Sequence, residues 1–272
     1  MQLTQENYEP FLEHIQKKYG YDFSGYARSS FLRRLNRFMN MFNIDNTETL
    51  FSMLLEDEKI FSRFLEEITV NVTEMFRDPL FYRSLREKVV PDLKTYPYVR
   101  VWDAGCSTGE ETYSLAFLLQ EEDLHSRCRI YATDINQKVL NTAAEGIYNV
   151  KDMARNTQNY HLTGGKYDFS NYYHAKYNRV IMNDQLKKNI VFSVHNLATN
   201  GCFNEFNLIV CRNVMIYFNK VLQEKVFKIF FESLPVFGYL ALDTKESMAL
   251  SKYGQYFEVV DNTQKIYRKI KE

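Results

Sequence analysis

The amino-acid sequence predicts an α/β protein: a Rossmann-like, mostly parallel sheet preceded by a helical N-terminal domain and interrupted by a small antiparallel β insert. Two observations support this fold class. From about residue 98 onward, short β-rich runs alternate with helix-like segments, as in a parallel sheet covered on both faces. Before that point, apolar residues recur at helical spacing and glycine is scarce.

The composition indicates a folded protein without a global charge. The 272 residues are 45% hydrophobic and 15% aromatic, enough to bury the core of one large or two small domains. Thirty-four basic residues balance thirty-four acidic ones, so there is no general field to attract nucleic acid. The sequence has neither a signal-peptide pattern nor a long apolar run, and its four cysteines lack metal-ligand spacing. We therefore expect a cytoplasmic protein without a metal site, membrane insertion or a nucleic-acid partner.

The patterns divide the chain into three parts. Residues 1–70 are predicted to form the helical domain, and residues 71–97 a linker with a lead-in helix. Residues 98–272 are predicted to form the α/β domain, ending in two antiparallel strands. A tyrosine-rich, alternating stretch at about 150–189 is predicted as the β insert. The insert is either a decorative excursion or an edge that binds a peptide by strand addition.

The helical domain contains a run of positive charge. Between Phe23 and Ile44 the sequence has no acidic residue and four arginines, which are Arg28, Arg33, Arg34 and Arg37. A charge run of this kind is often a solvated helix face. The alternative is a docking surface for an acidic partner helix.

The stretch "VWDAGCSTGEE", residues 101–111, permits two interpretations. Gly105, Ser107 and Gly109 match the nucleophile elbow of hydrolases, whereas an acidic strand end followed by a small-residue turn is typical of nucleotide-type cofactor sites. Asp134, at the end of the next predicted strand, is suited to accept hydrogen bonds from ribose hydroxyls. A nucleophile elbow normally follows a central strand late in the sheet, but this motif follows the first strand. The cofactor interpretation is therefore favoured.

Two further polar clusters flank this motif. "NVTEMFRDP", residues 71–79, precedes the sheet, and "CRNVMIYFN", residues 211–219, follows the most apolar strand. Because the carboxyl ends of parallel strands meet at one edge of a sheet, we expect these clusters near the cofactor turn. Their polar members are Asn71, Thr73, Arg77, Arg212, Asn213 and Tyr217.

These motifs, together with "ATDI" and "HNL", resemble in order and spacing the chemotaxis receptor methyltransferases of the CheR family. The resemblance covers essentially the whole chain and implies a class I methyltransferase fold with S-adenosylmethionine as cofactor and S-adenosylhomocysteine as product. It implies a protein-glutamate O-methyltransferase that forms glutamyl methyl esters for sensory adaptation. The implied partner is the cytoplasmic domain of chemotaxis receptors. We expect a monomer that is recruited to membrane receptor arrays.

The resemblance also implies roles for individual residues. Arg77 and Tyr217 would act at the methyl-transfer centre. One of Glu110 and Glu111, with Glu111 favoured, would bind the methionyl amino group, and Asp134 would bind the ribose hydroxyls. The other implied cofactor contacts are Asn71, Thr73, Arg77, Gly105, Asn196, Leu197, Arg212 and Asn213. Substrate docking would involve Arg28, Arg33, Arg34 and Arg37.

The sequence departs from the family pattern at two places. Thr112 stands where the family usually has proline, and the stretch 243–246, Asp-Thr-Lys-Glu, replaces a Gly-His-Ser-Glu-like stretch. Two other functions also remain as alternatives. A non-catalytic cofactor-binding scaffold or signalling protein is disfavoured by the retention of Arg77 and Tyr217. A methyltransferase acting on nucleic acid is disfavoured by the zero net charge.

Overall fold

The computed structural model describes residues 5–69 and 72–272, and the side chains from residue 8 onward. None of the helices in these ranges is both long enough and apolar enough to cross a bilayer. The α-helices are α1 (Gln5–Tyr19), α2 (Arg28–Met41), α3 (Thr47–Glu56), α4 (Glu58–Ile68), α5 (Pro79–Ser84), α6 (Val90–Leu93), α7 (Glu110–Glu121), α8 (Gln137–Glu145), α9 (Met153–Leu162), α10 (Asp184–Lys187) and α11 (Lys220–Ser233). The strands are β1 (Val99–Ala104), β2 (Cys128–Asp134), β3 (Ile147–Asn149), β4 (Tyr173–Lys176), β5 (Arg179–Met182), β6 (Ile190–Val194), β7 (Leu208–Cys211), β8 (Tyr239–Leu242), β9 (Phe257–Asp261) and β10 (Ile266–Lys269).

The larger sheet confirms the predicted α/β class. Its seven described strands run in the order β6-β2-β1-β7-β8-β10-β9. The pairs β6–β2, β2–β1, β1–β7 and β7–β8 are parallel, and β10 pairs antiparallel with both β8 and β9. Every residue of β7 and β8 is buried, as expected of strands covered by helices on both faces. The predicted terminal hairpin is therefore the antiparallel edge of this sheet.

The helical domain consists of α1 to α4 around an aromatic core. Phe11, Phe31, Phe38 and Phe64 are almost completely buried, and the ring of Phe64 makes edge contacts with the other three. Buried residues recur at helical spacing along α2 and α4, so each helix turns one apolar face inward. The helical character predicted from the apolar spacing is confirmed.

The insert contains the predicted antiparallel sheet, with strand order β3-β5-β4. The same stretch also contains α9, which the alternating pattern did not predict. Met153, Asn156 and Tyr160 are buried at helical spacing along α9, and the Tyr160 ring lies 5.3 Å from that of Phe76 in the lead-in segment. The aromatic residues of this stretch therefore serve two elements with different periods. The predicted antiparallel insert is confirmed, and the helix at residues 153–162 is an element that the sequence pattern did not predict.

Candidate functional site

A cleft lies at the carboxyl ends of the central strands. Strands β2 and β7 flank β1 on opposite sides, so the strand order reverses at β1, where ligands of open α/β sheets bind. Ten of the residues assigned to cofactor binding or methyl transfer line this one cleft: Thr73, Arg77, Gly105, Glu111, Asp134, Asn196, Leu197, Arg212, Asn213 and Tyr217. Glu110 is not part of the lining, and Asn71 lies outside the described residues.

The turn after β1 brings two loops into close contact. Gly105 has a φ of +96°, and a Cβ at this position would stand 2.3 Å from Cγ2 of Val214 in the loop after β7. Only glycine fits both the backbone conformation and the space. Within the described part of the chain, the buried Ser107 hydroxyl has no hydrogen-bond partner. The activated serine that the hydrolase interpretation requires is therefore missing from this turn.

Asp134 presents a carboxylate that the backbone holds in place. Its Oδ2 accepts the Ser107 N–H at 3.0 Å, and its Oδ1 accepts the Asn136 N–H at 2.9 Å. Burial raises the pKa of Asp134, and these N–H donors offset part of that effect. Each carboxylate oxygen can accept a second hydrogen bond. Asp134 can therefore receive two neighbouring hydroxyl groups of a ligand.

The two glutamates at the start of α7 have different surroundings. Glu110 accepts a hydrogen bond from the Thr108 hydroxyl at 2.6 Å, outside the cleft. Glu111 faces the cleft, and its Oε2 accepts from Nη1 of Arg212 at 2.7 Å. Burial raises the pKa of Glu111, and the charges of Arg212 and Arg77 offset part of the rise. Of the pair, Glu111 can meet a cationic ligand group in the cleft.

Arg212 is enclosed by charged and aromatic groups. Its side chain is only 1% exposed, and its Nη2 donates to Oδ2 of Asp78 at 2.6 Å while Nη1 bonds Glu111. The guanidinium carbon lies 4.2 Å from the centroid of the Phe81 ring. A buried cation of this kind requires such partners, because an unpaired charge in the interior is costly. Arg212 thus ties the loop after β7 to α7 and to the lead-in segment.

Arg77 occupies the tip of a turn with unusual backbone geometry. The residues on either side, Phe76 and Asp78, are both left-handed, with φ of 53° and 58°. Outside glycine this conformation costs about 1–2 kcal/mol per residue. The turn is anchored on both sides, because the Phe76 N–H donates to the Ser114 hydroxyl at 2.8 Å and Asp78 pairs with Arg212. Arg77 is consequently held in a fixed, half-buried position at the cleft.

Tyr217 ends a short 3₁₀ turn, residues 215–217, after β7. Its half-buried ring lies beneath the guanidinium of Arg34, which is 4.5 Å from the ring centroid. The helical domain also contributes to the lining with Tyr26, Ile68 and Thr69. Their spacing in the sequence is that of ordinary core residues, so no local signal singled them out. The sequence analysis likewise did not predict a lining role for Cys106, Ile135, His195, Val214 or Phe218.

Thr112, the first departure from the family pattern, has a specific partner. Its hydroxyl donates to Oδ2 of Asp103, the fully buried acid near the end of β1. Burial, reinforced by the charge of Glu111, raises the pKa of Asp103 well above its usual range. The threonine hydroxyl therefore supplies a hydrogen bond to an acid that water does not reach.

The second departure keeps an acidic residue that joins two loops. Glu246 accepts the N–H of Asp243 at 3.0 Å and the N–H of Ile216 at 3.1 Å. Asn213, left-handed with a φ of 59°, donates from Nδ2 to Oδ2 of Asp243 at 2.6 Å. Burial raises the pKa of Glu246 to about 7. The stretch 243–246 therefore connects the loop after β8 to the turn that carries Tyr217.

The four arginines assigned to docking do not share one surface. The guanidinium of Arg28 lies 4.9 Å from the Tyr8 ring centroid, and Arg34 is turned towards Tyr217. Arg33 and Arg37 are exposed and one helical turn apart on α2. Nε of Arg37 pairs with Oε1 of Glu67 at 3.1 Å, yet its side chain remains 74% exposed. Arg33 and Arg37 therefore form the outward basic face of α2.

Comparisons with known proteins match this architecture along the chain. The family described as the SAM-binding domain of CheR methyltransferase matches residues 71–266, and the CheR all-alpha domain matches residues 6–69. The Cher3 protein of Pseudomonas putida is 45% identical over 258 residues, covering 95% of this chain and 94% of that protein. A chemotaxis protein methyltransferase of Borreliella burgdorferi is 32% identical over 210 residues, covering 71% of this chain and 70% of that protein. A chemotaxis protein methyltransferase of Listeria monocytogenes is 28% identical over 246 residues, covering 90% and 91%. The chain therefore belongs to the CheR methyltransferase family, and its cofactor is S-adenosylmethionine.

Proposed function

We propose that this methyltransferase acts in chemotaxis by methylating glutamate side chains in the cytoplasmic domain of receptors. The observation that carries the proposal is the continuity between the basic face of α2 and the cleft. Arg33 and Arg37 point outward from α2, and Arg34 of the same helix contacts Tyr217 in the cleft. A carboxylate-rich partner docked on α2 would bring its glutamates to this end of the cleft. The names of the Borreliella and Listeria relatives agree with a role in chemotaxis.

The cleft residues fit the chemistry of the cofactor. Asp134 keeps acceptor capacity on both carboxylate oxygens, which suits two vicinal ribose hydroxyls. Glu111 offers a carboxylate to the methionyl ammonium group, and Gly105 lets the backbone approach it. We assign adenine contacts to Asn196 and Leu197. Thr73, Arg212 and Asn213 complete the wall, and we also assign a cofactor contact to Asn71.

The reaction requires alignment more than acid–base chemistry. Bound S-adenosylmethionine supplies a methyl group on a positively charged sulfur. A glutamate side chain has an unperturbed pKa of about 4.3, so the substrate is already ionised at neutral pH and needs no general base. The protein must hold the carboxylate in line with the methyl group and exclude water from the pair. A rigid cleft built from anchored loops can perform this task.

Arg77 is proposed to orient the substrate carboxylate. A planar guanidinium can pair with both carboxylate oxygens and so fix the plane of the group. The anchored left-handed turn around Arg77 limits its movement, and Tyr217, which lines the same cleft, is proposed to steer the methyl group. Arg77→Ala should lower kcat about 100-fold. Normal cofactor binding with receptor methylation at the wild-type rate would contradict this role.

The function can be tested by following a labelled methyl group. The protein is incubated with S-adenosylmethionine carrying a tritiated methyl group and with cytoplasmic fragments of chemotaxis receptors. Glutamyl methyl esters are cleaved by mild alkali, so the label should be released as methanol. Fragments whose glutamates in the acceptor helices are replaced by alanine serve as the control and should take up no label. Label that resists alkali, or absence of label from receptor fragments, would refute the proposal.

The docking role of α2 has its own test. A double charge reversal, Arg33→Glu with Arg37→Glu, should raise the receptor KM about tenfold at low salt, because the basic face would repel acidic helices. The salt dependence of KM should also become weaker. Arg28→Glu is the control, since the Arg28 guanidinium lies over the Tyr8 ring and is not part of the cleft lining, and it should change KM much less. Unchanged kinetics of the double variant at low salt would exclude docking on this face.

A further inference from the structure

Arg34 has surroundings unlike those of the neighbouring arginines of α2. Arg33 and Arg37 are exposed, whereas Arg34 is half-buried. Its guanidinium carbon lies 4.5 Å from the centroid of the Tyr217 ring, within the range of a cation–π contact. Its Nη1 also donates to the carbonyl oxygen of Glu67 at 3.4 Å, which ties the guanidinium to the end of α4. A residue that resembles a docking arginine in sequence is therefore directed at the methyl-transfer centre.

Backbone hydrogen bonds join the two domains beside this contact. The Ala27 N–H donates to the carbonyl of Tyr217 at 2.8 Å, and the Asn219 N–H donates to the carbonyl of Gly25 at 2.8 Å. Between these bonds, Tyr26 and Phe218 form an isolated antiparallel bridge. The segment before α2 and the segment after Tyr217 are thus paired like two short strands. This pairing fixes the start of α2 relative to the Tyr217 backbone.

Side-chain packing leaves the junction little freedom. The rings of Tyr26 and Phe218 are 5.2 Å apart in an edge contact. A Cβ at Gly25 would stand 2.7 Å from Cδ2 of Leu222, so the chain passes directly over α11 at this point. The Tyr217 ring packs partly against the apolar core that includes Phe218 and Leu222, and the Arg34 guanidinium lies over its face. With the backbone held on both sides, the ring orientation depends on this packing and on Arg34.

We propose that Arg34 is a positioning residue for Tyr217, so that the helical domain completes the methyl-transfer centre in addition to docking the partner. A planar cation over the ring face restrains the ring and thereby the direction of the Tyr217 hydroxyl. Arg33 and Arg37 then affect how often a receptor docks, and Arg34 affects how fast a docked glutamate reacts. This inference rests on the proposed function for its kinetic consequence but not for the contact itself.

Steady-state kinetics separate the two roles. Arg34→Ala should lower kcat about tenfold, the scale of a partly desolvated cation–π contact, and change the receptor KM and its salt dependence by less than about twofold. Arg34→Lys should recover much of the rate, since an ammonium group can also lie over a tyrosine ring. Arg33→Ala, which removes the same charge one position away, should instead act on KM and its salt dependence. An Arg34→Ala variant with normal kcat and a raised KM would overturn the inference.

A spectroscopic measurement tests the contact without a receptor. The protein is labelled with 3-fluorotyrosine, and the ¹⁹F signal of Tyr217 is identified by its loss in Tyr217→Phe. Arg34→Ala should move this signal, while Arg33→Ala should leave it in place. An unmoved signal in a folded Arg34→Ala protein overturns the inference even if the wild type methylates receptors. A moved signal combined with a wild type that methylates no receptor refutes the proposed function and leaves the positioning contact standing.

Discussion

The two ends of α7 carry a buried glutamate, Glu121, and a half-buried one, Glu111, and the difference between them separates a structural site from a ligand site. At the carboxyl end, Oε2 of Glu121 accepts from Nη2 of Arg86 at 2.6 Å. Oε1 accepts from the hydroxyls of Tyr160 and Tyr172. At the amino end, Oε2 of Glu111 accepts from Arg212, and Oε1 makes no hydrogen bond to the described residues. Among the residues that the structure describes, the partners of these two carboxylates leave capacity for a ligand on Glu111 and not on Glu121.

The pKa of the neighbouring Glu122 shows the same difference between the two ends of α7. Burial raises its pKa, but hydrogen bonds from Lys166, Lys94 and Arg86 outweigh that effect and lower the pKa to about 2. At Glu111 the balance is reversed, and burial keeps the pKa raised despite Arg212. The several cationic donors around Glu122 hold the lead-in segment and the insert against the end of α7. A shortage of donors marks the place where a cationic ligand group can bind.

The largest expected effect comes from disrupting the hydrogen bonds of Glu121 at the carboxyl end of α7. Glu121→Gln should lower the free energy of unfolding by about 3–5 kcal/mol, because it removes one partner of a buried ion pair and disturbs the tyrosine hydrogen bonds. Affinity of the folded protein for S-adenosylmethionine should stay within about twofold. Urea denaturation and calorimetric titration measure the two quantities. Glu145→Gln, at an exposed position on α8, is the control and should change stability by less than about 0.5 kcal/mol. If Glu121→Gln were as stable as the wild type, the interpretation of Glu121 as a structural site would be wrong.

The next effect concerns Glu246, a buried acid that accepts backbone hydrogen bonds from Asp243 and Ile216. Its folded-state pKa of about 7 lies above the ordinary value of 4.5. Between these pH values the folded protein keeps a proton that the unfolded chain has lost. The free energy of unfolding should therefore fall as pH rises through this window, by up to about 3 kcal/mol, and this contribution should be constant above it.

Glu246→Gln should lack this pH-dependent loss, because the amide does not titrate. Urea midpoints for wild type and variant at pH 5, 6, 7 and 8 measure the difference. The two stability curves should converge or cross as pH rises. Parallel curves across the window would mean that Glu246 is already ionised throughout it.

The third prediction tests whether Glu111, at the amino end of α7, binds the cofactor. Glu111→Gln should weaken S-adenosylmethionine binding roughly 100-fold, since a neutral amide replaces the charge that meets an ammonium group. Glu110→Gln is the matched control one position away, and its affinity should stay within about threefold because Glu110 is outside the cleft. Isothermal titration gives both constants. A larger loss in Glu110→Gln than in Glu111→Gln would reverse the assignment.

The smallest effect lies beside Glu111. Thr112→Val should lower the free energy of unfolding by about 1–2 kcal/mol, because it removes the hydrogen bond to the buried Asp103. Thr112→Ser keeps the hydroxyl and should stay closer to wild type. Thermal unfolding of the two variants measures the difference. Equal stability of Thr112→Val and wild type would show that Asp103 does not depend on this donor.

Much of the fold followed from local patterns. The helical spacing of Phe31, Leu35 and Phe38 predicted part of α2, and the alternation of strands and helices predicted the parallel sheet. The helix α9 was missed because its single tyrosine, Tyr160, was interpreted together with the tyrosine-rich alternating run that follows it, whereas in the fold Tyr160 packs against Phe76. Local periodicity is ambiguous when aromatic residues serve two packing surfaces.

For the candidate site too, local patterns predicted one part and tertiary packing decided the rest. Motif spacing placed Arg77, Asp134 and Tyr217 at one cleft, since strand ends in a parallel sheet converge. Spacing alone left the choice between Glu110 and Glu111 open, because adjacent helical residues point about 100° apart and the helix phase is set by packing. In the folded chain Glu111 lines the cleft and Glu110 does not.

The sequence by itself determined which chemical groups were present and which strand ends would carry them. Tertiary structure alone decided which of those groups kept unused hydrogen-bonding capacity. It saturated Glu121 with donors from the lead-in segment and the insert, and it turned Arg34 away from the outer face of α2 and onto Tyr217. The physical reason is that satisfaction of a buried charge depends on partners distant in the chain, which no local pattern specifies.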